Sequence, residues 1–373
     1  MRILHIAPSY KPAYIYGGTI ESIAKLCEAL AAAGEDVTVF TTTANGKTEL
    51  DITPGKEYNV EGVKVIYFRR QTKDHSHISI DLWKQLNREC RNYDAIHIHS
   101  WWNLLVMGAA FICKRKKVKP VISPHGMLSD YIMQHSNTVV KKLMYLTGGK
   151  NLLRHSFLHA TSEAEFAECK KLIPGWRGSV VPNILSLPPL NMYKKENPVF
   201  TILFLSRIHP KKGIELLMEA LSVIKTDVRI AIAGASEDDY IHELKKKAKK
   251  LGINKQIEWL GWVDRILKFE ILMLADLLAL TSYNENFANV VIESLHAGTP
   301  VLLSREVGLS GFVKENDLGW ICALEPKNIA EKIEAAIGDI EKRKRINHCA
   351  PSIIQTYFSA EKLVPQYLQL YNS

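Results

Sequence analysis

Short apolar runs alternate with helical segments along the whole chain. The runs are rich in β-branched residues and end in polar or glycine-containing turns, a pattern typical of buried parallel strands. In the first half the predicted strands are Ile3–Ala7, Val37–Thr41, Val63–Phe68, Ala95–His99 and Val121–Ser123. In the second half they are Phe200–Leu205, Val228–Ala233, Ile257–Leu260, Leu277–Thr281 and Val301–Ser304. Regular alternation of strand and helix favours parallel sheets covered by helices on both faces.

Apolar residues at helical spacing lie between these strands. The predicted helices are Thr19–Ala33, Leu104–Lys116, Ile214–Ile224, Ile241–Leu251, Ala288–Ala297 and Asn328–Ile337, followed by an amphipathic terminal helix over Ala360–Tyr371. A proline-punctuated polar stretch from Leu185 to Pro198 predicts a linker. We therefore expect an α/β protein with two facing, doubly wound, Rossmann-like parallel-sheet domains, residues 1–185 and 198–355, followed by a terminal helical segment, 356–373.

Composition narrows the class of protein. Of 373 residues, 47% are hydrophobic and 23% charged, which excludes a disordered or collagen-like chain. The net charge of +9 is uneven, because residues 1–185 contain 24 basic and 16 acidic side chains. The six cysteines show no paired spacing, which does not favour a disulfide framework. The N-terminus has a strand pattern in place of a signal peptide. No apolar stretch approaches the ~20 residues of a membrane-spanning helix. These features predict a cytoplasmic protein, either soluble or resting on a membrane surface.

In doubly wound sheets, ligands bind in the loops that follow the strands. After the first strand, Gly17 and Gly18 precede a helix, where backbone amides can approach an anion; a tight turn is the alternative interpretation. After the first strand of the second half, Arg207 and Lys212 lie five residues apart on a loop that opens a helix. Two such cations suit a diphosphate, although a solvated basic turn would have the same composition.

A third loop carries two carboxylates eight residues apart, Glu285 and Glu293. A helix that begins near Ala288 would place its free amides between them, so phosphate could bind the amides and sugar hydroxyls the carboxylates. Glu293 has apolar neighbours on both sides in the sequence. A surface position is therefore less favoured, since a carboxylate in such surroundings needs a partner.

These features together resemble the family-4 retaining glycosyltransferases of GT-B fold. The resemblance spans nearly the whole chain and rests on the Glu285–Glu293 spacing, the Arg207–Lys212 pair, the Gly17–Gly18 loop, the sequence Ser123-Pro-His125-Gly126 and the terminal segment from Tyr357. It implies transfer of a sugar from a nucleotide-sugar to an acceptor with retention at the anomeric carbon. It also implies that the nucleotide is held by the second domain and the acceptor by the first, that no cofactor beyond the nucleotide-sugar is needed, and that the last helix crosses back to the first domain.

The resemblance assigns roles residue by residue. Arg207 and Lys212 neutralise the leaving diphosphate, Glu285 orients the donor sugar, and Glu293 binds the ribose. His125 lies near the C6 hydroxyl of the sugar. The remaining donor contacts come from Gly17, Gly18, the segment Phe287, Ala288, Asn289 and Val290, and the backbone near Val263. Ala288 stands where the family usually has glycine, and the absence of an Asp-x-Asp motif agrees with cations acting in place of a divalent metal.

Aromatic and histidine residues near the strand ends allow more than one interpretation. Tyr14, Tyr16, Trp101 and Trp102 are candidates for stacking on an acceptor sugar, and packing between loops is the alternative. His97 and His99 share one face of a predicted strand. A polar strand end is favoured there over a metal site, because no Cys, Asp or Glu follows at ligand spacing.

The basic excess of the first half suggests a partner. Between Lys141 and Arg154, cations alternate with apolar residues, a pattern typical of contact with anionic lipid. Such contact would bring the protein to a lipid-linked acceptor, and the resemblance implies a glycan or lipid-linked glycan acceptor. Nucleic-acid binding is not expected, since no recognition module accompanies the charge. Two other functions remain open, a nucleotide-sugar epimerase of the same fold and a catalytically silent sugar-binding protein.

Overall fold

The apolar runs form parallel strands in the computed structural model, which describes residues 1–135, 138–189, 197–235 and 238–373. One unit consists of Met1–Ser186 with Phe358–Ser373, and the other of Leu187–Tyr357. The predicted linker falls partly outside the described residues, since 190–196 are not among them. Among the described residues, no helix is both long enough and apolar enough to cross a bilayer.

The first unit is built around a large, mainly parallel sheet. Its strands are β1 (Arg2–Ile6), β2 (Asp36–Thr42), β3 (Ala44–Asn45), β4 (Thr48–Glu49), β5 (Glu57–Val60), β6 (Val63–Phe68), β7 (Ala95–His99), β8 (Val121–Ser123), β9 (Phe157–Ala160) and β10 (Gly178–Val180). Its helices are α1 (Gly18–Ala32), α2 (Ile80–Glu89), α3 (Leu104–Arg115), α4 (Asp130–His135), α5 (Thr138–Met144), α6 (Lys150–His155) and α7 (Glu163–Leu172), with a π-helical turn over Tyr145–Gly149.

The strand order of this sheet is β10-β9-β8-β7-β1-β2-β6-β5, and β3 pairs with β4 in a separate hairpin. Within the large sheet the pairing is parallel except between β5 and β6. Since β1 lies between β7 and β2, the chain winds away from β1 in both directions. The loops after β1 and β7 therefore diverge and leave a crevice at the carboxyl edge.

The second unit has the strand order β13-β12-β11-β14-β15-β16, which is the 3-2-1-4-5-6 order of Rossmann folds. Its strands are β11 (Phe200–Leu205), β12 (Val228–Ala233), β13 (Ile257–Gly261), β14 (Leu277–Leu280), β15 (Val301–Ser304) and β16 (Gly319–Cys322). The remaining helices are α8 (Ile214–Leu221), α9 (Asp238–Lys250), α10 (Arg265–Leu274), α11 (Asn289–His296), α12 (Ser310–Glu315), α13 (Pro326–Gly338), α14 (Ile340–Phe358) and α15 (Ala360–Tyr371). The predicted fold class, two Rossmann-like parallel-sheet domains, is confirmed.

The terminal helix α15 covers one face of the first sheet beside α1. Leu363 and Tyr367 are almost completely buried and share a core cluster with Ile23 and Leu30 of α1. The Tyr367 hydroxyl also donates to the Pro182 carbonyl oxygen at 3.0 Å. At about 1.5–3 kcal/mol for each large apolar side chain removed from water, this helix is an integral part of the first unit.

Candidate active site

In the second unit, two neighbouring strands, β11 and β14, end side by side, and the loops that follow them are tied together. The Tyr283 amide donates to the Lys211 carbonyl oxygen at 2.9 Å, and the Thr281 hydroxyl donates to the Gly213 carbonyl oxygen at 2.9 Å. Gly213 adopts φ +64°, and a Cβ at this position would lie 2.1 Å from the Thr281 carbonyl oxygen. A glycine is therefore required where the two loops meet.

This junction presents a paired cation and carboxylate. Lys212 Nζ lies 2.5 Å from Glu285 Oε2, and only 11% of the lysine side chain and 20% of the glutamate side chain are exposed. The backbone of Glu285 is fixed in turn, because its amide donates to the Glu306 carbonyl oxygen and its carbonyl accepts from the Gly308 amide. The Lys212 ammonium has three donors, so two can still bind an anionic ligand.

Arg207 extends from the same β11 loop and is exposed. No ion pair of this guanidinium is found within the described part of the chain. The loop therefore carries one cation that is fixed and partly neutralised and one that is open to solvent. Both are available to an anion that binds at the carboxyl end of β11.

The carboxyl-terminal part of the β14 loop leads into α11. Its N-cap residue, Ala288, adopts a left-handed backbone with φ +66°, an unfavourable conformation for any residue with a Cβ. Strained backbone of this kind concentrates at ligand-binding sites. Glu293 lies on the second turn of α11, is 6% exposed, and accepts an ion pair from Lys268 Nζ of α10 at 2.5 Å. The buried carboxylate thus has the partner that its apolar neighbours require.

In the first unit, a second strained loop follows β8. His125 adopts φ +51° and is followed by Gly126 at φ +76°. The Gly126 amide donates to Glu165 Oε1 at 2.6 Å, while Glu165 Oε2 accepts from the Thr161 amide at 2.8 Å. A buried carboxylate at the start of α7 therefore holds the His125 loop in place.

Four further histidines lie behind His125 in the interior of the sheet: His5, His97, His99 and His159. Burial lowers the pKa of His5 and of His125 to about 3 and that of His159 to about 4, and it lowers the pKa values of His97 and His99 well below 6.5. All five rings are therefore neutral at physiological pH. His5, His97 and His99 each bring a ring nitrogen within 4.8 Å of the others, the spacing of a possible metal site.

Models of two glycosyltransferase families match successive parts of the chain. The model of Glycosyltransferase Family 4 matches residues 16–187, and that of Glycosyl transferases group 1 matches residues 191–352. The chain belongs to the family-4 glycosyltransferases of GT-B fold.

Known glycosyltransferases resemble this one over their full length. An uncharacterized glycosyltransferase, MJ1607 of Methanocaldococcus jannaschii, is 25% identical over 100% of this chain and 98% of its own. Sucrose-phosphate synthase from Thermosynechococcus elongatus has a TM-score of 0.78 at 19% identity, with 100% and 98% of the two chains covered. Anabaena Alr3699/HepE, solved in complex with UDP-glucose, has a TM-score of 0.74 at 22% identity, with 99% and 98% covered.

The structure corrects one site prediction for this glycosyltransferase. Trp101 is completely buried in the core cluster on the α3 face of the first sheet, so its ring cannot stack on an acceptor sugar. Trp102 is half-buried, and its indole donates to the Met127 carbonyl oxygen at 2.6 Å. Tyr16 is also held by the protein, since its hydroxyl accepts from the Gly46 amide at 2.9 Å. Tyr14 is 61% exposed and is the most open of the four aromatic candidates.

The other predicted donor-site residues lie at strand ends or helix starts of the enzyme. Gly17 adopts φ +74° as the N-cap of α1, and Gly18 is the first residue of that helix. Phe287 is buried, so its contribution to a ligand is limited to its backbone. Asn289 and Val290 form the first turn of α11, and Val263 lies just beyond β13.

Sequence reasoning missed several residues that support this site. Lys268, the partner of Glu293, lies on a helix that was not predicted, and its position in the sequence gives no sign of the pairing. Glu165 did have a signal, since Ser162-x-x-Glu165 has the spacing of a capping box and the Ser162 hydroxyl accepts from the Glu165 amide. His5 and His159 stand in strands next to β7 and β8, so only the strand order reveals that they lie near His97.

Proposed function

We propose that the protein is a retaining, metal-independent glycosyltransferase that moves a hexose from a nucleotide-sugar donor to a glycan or lipid-linked glycan acceptor. The observation that carries this proposal is the buried Lys212–Glu285 pair at the β11–β14 junction, with Arg207 on the same loop. In the reaction the bond from the anomeric carbon to the diphosphate breaks and a bond to the acceptor oxygen forms. The acceptor hydroxyl proton passes to the departing phosphate oxygen.

The charges of this junction match that chemistry. A diphosphate gains negative charge as it leaves, and Arg207 and the free donors of Lys212 stabilise that charge where a metal ion acts in other enzymes. Glu285 then has one oxygen on Lys212 and one for a sugar hydroxyl. Preorganised donors aimed at developing charge often supply the largest catalytic contribution.

The assignment of further contacts follows the resemblance. Glu293, paired with Lys268, binds the ribose, while the amides at the start of α11 bind the diphosphate and the sugar. In this proposal the second unit binds the donor and the first unit binds the acceptor. The same resemblance assigns Gly17 and His125, both in the first unit, to substrate binding. The complex of Anabaena Alr3699/HepE with UDP-glucose supports a nucleotide-sugar as the donor and makes UDP-glucose the first donor to test.

The test is a screen of UDP-, GDP- and ADP-sugars for release of the nucleoside diphosphate, with NMR of the product to assign its anomeric configuration. Lys212→Ala and Glu285→Ala are each expected to lower the rate about 10²–10³-fold, the loss typical of removing one charge-stabilising group. Lys246→Ala, which removes an exposed lysine of α9, is the matched control and should keep the parent rate.

The same screen separates the alternatives. Parent rates in both Lys212→Ala and Glu285→Ala would refute the site. An isomerised sugar formed from donor alone would indicate an epimerase, and binding without turnover of any donor would indicate a silent protein. A product with inverted configuration, or activity abolished by EDTA and restored by a divalent metal, would refute the retaining or the metal-independent part of the proposal.

A membrane-borne acceptor is supported by an exposed apolar surface in the basic segment. Val139, Leu143 and Leu146 are 78%, 61% and 77% exposed and recur at helical spacing across α5 and the following turn. Exposed cations, Lys142 and Arg154, accompany them. Lys141 does not contribute, because its ammonium donates to the Ile132 carbonyl oxygen at 3.3 Å. We place the enzyme at the cytoplasmic face of a membrane, in the synthesis of a cell-surface polysaccharide.

Co-sedimentation with liposomes tests this attachment. Binding to vesicles that contain anionic lipid should exceed binding to neutral vesicles, and it should be lost in the variant carrying Val139→Ser, Leu143→Ser and Leu146→Ser. Val223→Ser, at a similarly exposed valine of the second unit, is the control. Equal recovery with anionic and neutral vesicles would end the idea.

A further inference from the structure

The interior histidines of the first unit form two separate hydrogen-bonded chains. In one, His97 Nδ1 lies 2.9 Å from the Tyr371 hydroxyl and His97 Nε2 lies 2.6 Å from Ser123 Oγ. Ser123 Oγ lies 2.5 Å from His159 Nδ1, and His159 Nε2 lies 2.8 Å from the Val181 carbonyl oxygen. In the other chain, His5 Nδ1 is 2.9 Å from His99 Nε2, and His99 Nδ1 is 3.1 Å from His125 Nε2.

The direction of the first chain is fixed by its last acceptor. A carbonyl oxygen cannot donate, so His159 must carry its proton on Nε2 and accept on Nδ1 from the Ser123 hydroxyl. Ser123 Oγ then accepts from His97 Nε2–H, which leaves His97 Nδ1 to accept from the Tyr371 hydroxyl. Every hydrogen is assigned, and both histidines of this chain are Nε2–H tautomers.

The second chain is a nearly flat ribbon of three rings. The His5 and His99 planes differ by 10° and their centroids are 5.2 Å apart, while those of His99 and His125 differ by 15° at 5.3 Å. Each centroid separation exceeds the corresponding N···N distance by about one ring diameter, so the rings lie end to end and do not stack face to face. Two proton orders fit this ribbon, with every proton on Nδ1 or every proton on Nε2.

The buried end of the ribbon decides between these two orders. His5 is completely buried, and its Nε2 has no hydrogen-bond partner in the described part of the chain. If every Nε2 carried the proton, this atom would be an orphaned buried N–H donor, which is rarer in folded proteins than an unsatisfied acceptor. With the proton on every Nδ1, His5 donates to His99, His99 donates to His125, and only a bare acceptor is left over.

We infer that His99 and His5 are positioning residues that fix His125 as a neutral Nδ1–H tautomer, so that it presents a hydrogen-bond donor and not a base to the substrate. Its Nδ1 has no partner among the described residues, and the residue is half-buried, so this nitrogen reaches the surface. The ligand atom it meets is then an acceptor, a hydroxyl or phosphate oxygen. The part that concerns substrate rests on the proposed function; the proton order does not.

A metal ion among His5, His97 and His99 is the competing interpretation. Both nitrogens of His97 and both nitrogens of His99 already have hydrogen-bond partners. Binding a metal would therefore break either the ribbon or the first chain, which joins Tyr371 to the Val181 carbonyl oxygen. The two interpretations differ in what imidazole ¹⁵N NMR of the ligand-free protein shows. The tautomer order requires neutral, metal-free rings with a defined proton on each.

The experiment is long-range ¹H–¹⁵N correlation of histidine side chains at neutral pH, without ligand, in protein labelled at histidine. His5, His99 and His125 should carry their protons on Nδ1. His97 and His159 should carry theirs on Nε2 and provide an internal reference. A proton on Nε2 of His125, a charged His125 ring, or stoichiometric zinc bound to the purified protein and lost in His5→Gln would overturn the inference.

A matched pair of variants tests the positioning role. His99→Asn keeps an N–H donor where His99 Nδ1 lies, while His99→Leu has a similar branched shape and no donor. In His99→Leu we expect His125 to lose its single tautomer and kcat/KM to fall about tenfold, as for one lost hydrogen bond. His99→Asn should restore the Nδ1–H tautomer and most of the activity.

Two further variants complete the design, one in the first hydrogen-bonded chain and one at the Lys212–Glu285 pair. Tyr371→Phe should leave the His125 tautomer and kcat/KM unchanged. Equal losses in His99→Asn and His99→Leu, with an unaltered His125 tautomer in both, would overturn the positioning role. If the tautomers are as expected while Lys212→Ala retains full transfer, the proposed function fails and the proton order stands.

Discussion

Acidification from about pH 7.5 to about pH 5 should destabilise the first unit through its buried histidines. His5 and His159 have folded-state pKa values lowered by burial to about 3 and about 4, and His97 and His99 are lowered well below 6.5. As the pH falls below 6.5, the unfolded chain binds protons that the folded chain excludes. The stability these groups provide is therefore complete above about pH 6.5 and is lost progressively toward the folded pKa values.

The magnitude follows from proton linkage. Each histidine that stays neutral in the folded protein lowers the free energy of unfolding by about 1.4 kcal/mol per pH unit below 6.5, or by about 2 kcal/mol at pH 5. The four fully buried rings together amount to about 8 kcal/mol, comparable with the whole unfolding free energy of an ordinary domain. Carboxylates change little in this pH window, so histidine protonation dominates the slope.

The assay is urea unfolding as a function of pH, followed by hydrogen exchange of amides in β1, β7 and β8. His159→Gln keeps a donor and an acceptor but removes one titratable group. Its unfolding free energy should fall by about 2 kcal/mol less than that of the parent between these pH values. Two results would refute the reasoning. One is an unchanged protection of the amides of β1 and β7 in the parent at pH 5, after correction for the intrinsic pH dependence of exchange. The other is an identical dependence of the unfolding free energy on pH in parent and variant.

Three further predictions concern single side chains. Gly213→Ala should lower the unfolding free energy of the second unit by about 2 kcal/mol or more and reduce transfer, because the new Cβ would lie 2.1 Å from the Thr281 carbonyl oxygen. Thermal denaturation measures the first effect and enzyme kinetics the second. A melting temperature equal to that of the parent would contradict the prediction. Lys268→Ala leaves Glu293 buried without its cation, so we expect weaker donor binding by calorimetry, and Lys268→Arg should partly restore it. Unchanged binding in Lys268→Ala would contradict a role for this ion pair in donor binding. Tyr371→Phe removes the hydroxyl that donates to His97 and should lower the free energy of unfolding in urea by about 1–2 kcal/mol. A stabilised variant would contradict the hydrogen bond from Tyr371 to His97.

Most of the fold was predictable because its signals are local. Each predicted strand is present within one residue of its predicted bounds, since strands covered on both faces have continuous apolar runs. The strands that were missed are short or interrupted by polar residues. Phe157–Ala160 contains His159, and Gly178–Val180 begins with a glycine that packs against Leu158. Such segments are strands only because neighbouring strands supply their hydrogen bonds.

The candidate site likewise contains residues that the sequence reveals and partners that it does not. Arg207, Lys212, Glu285 and Glu293 stand out in the sequence because charged residues follow buried strands or interrupt an apolar helix. Their partners do not stand out, since Glu285 lies 73 positions from Lys212 and Glu293 lies 25 positions from Lys268. Trp101 shows the opposite error, because a large aromatic residue at a strand end has the same sequence pattern whether its ring faces a ligand or the core.

The sequence by itself determined the two α/β domains, the loops that carry charge and the type of chemistry they suit, because periodicity and residue type are encoded locally. The tertiary structure decided which charges neutralise one another, which aromatic rings are buried and how five histidines share their protons. Those properties depend on strand order and on distances between residues up to 274 positions apart, as for His97 and Tyr371. Hydrogen bonds and desolvation act only between atoms that the fold has brought together, so no pattern along the chain can reveal them.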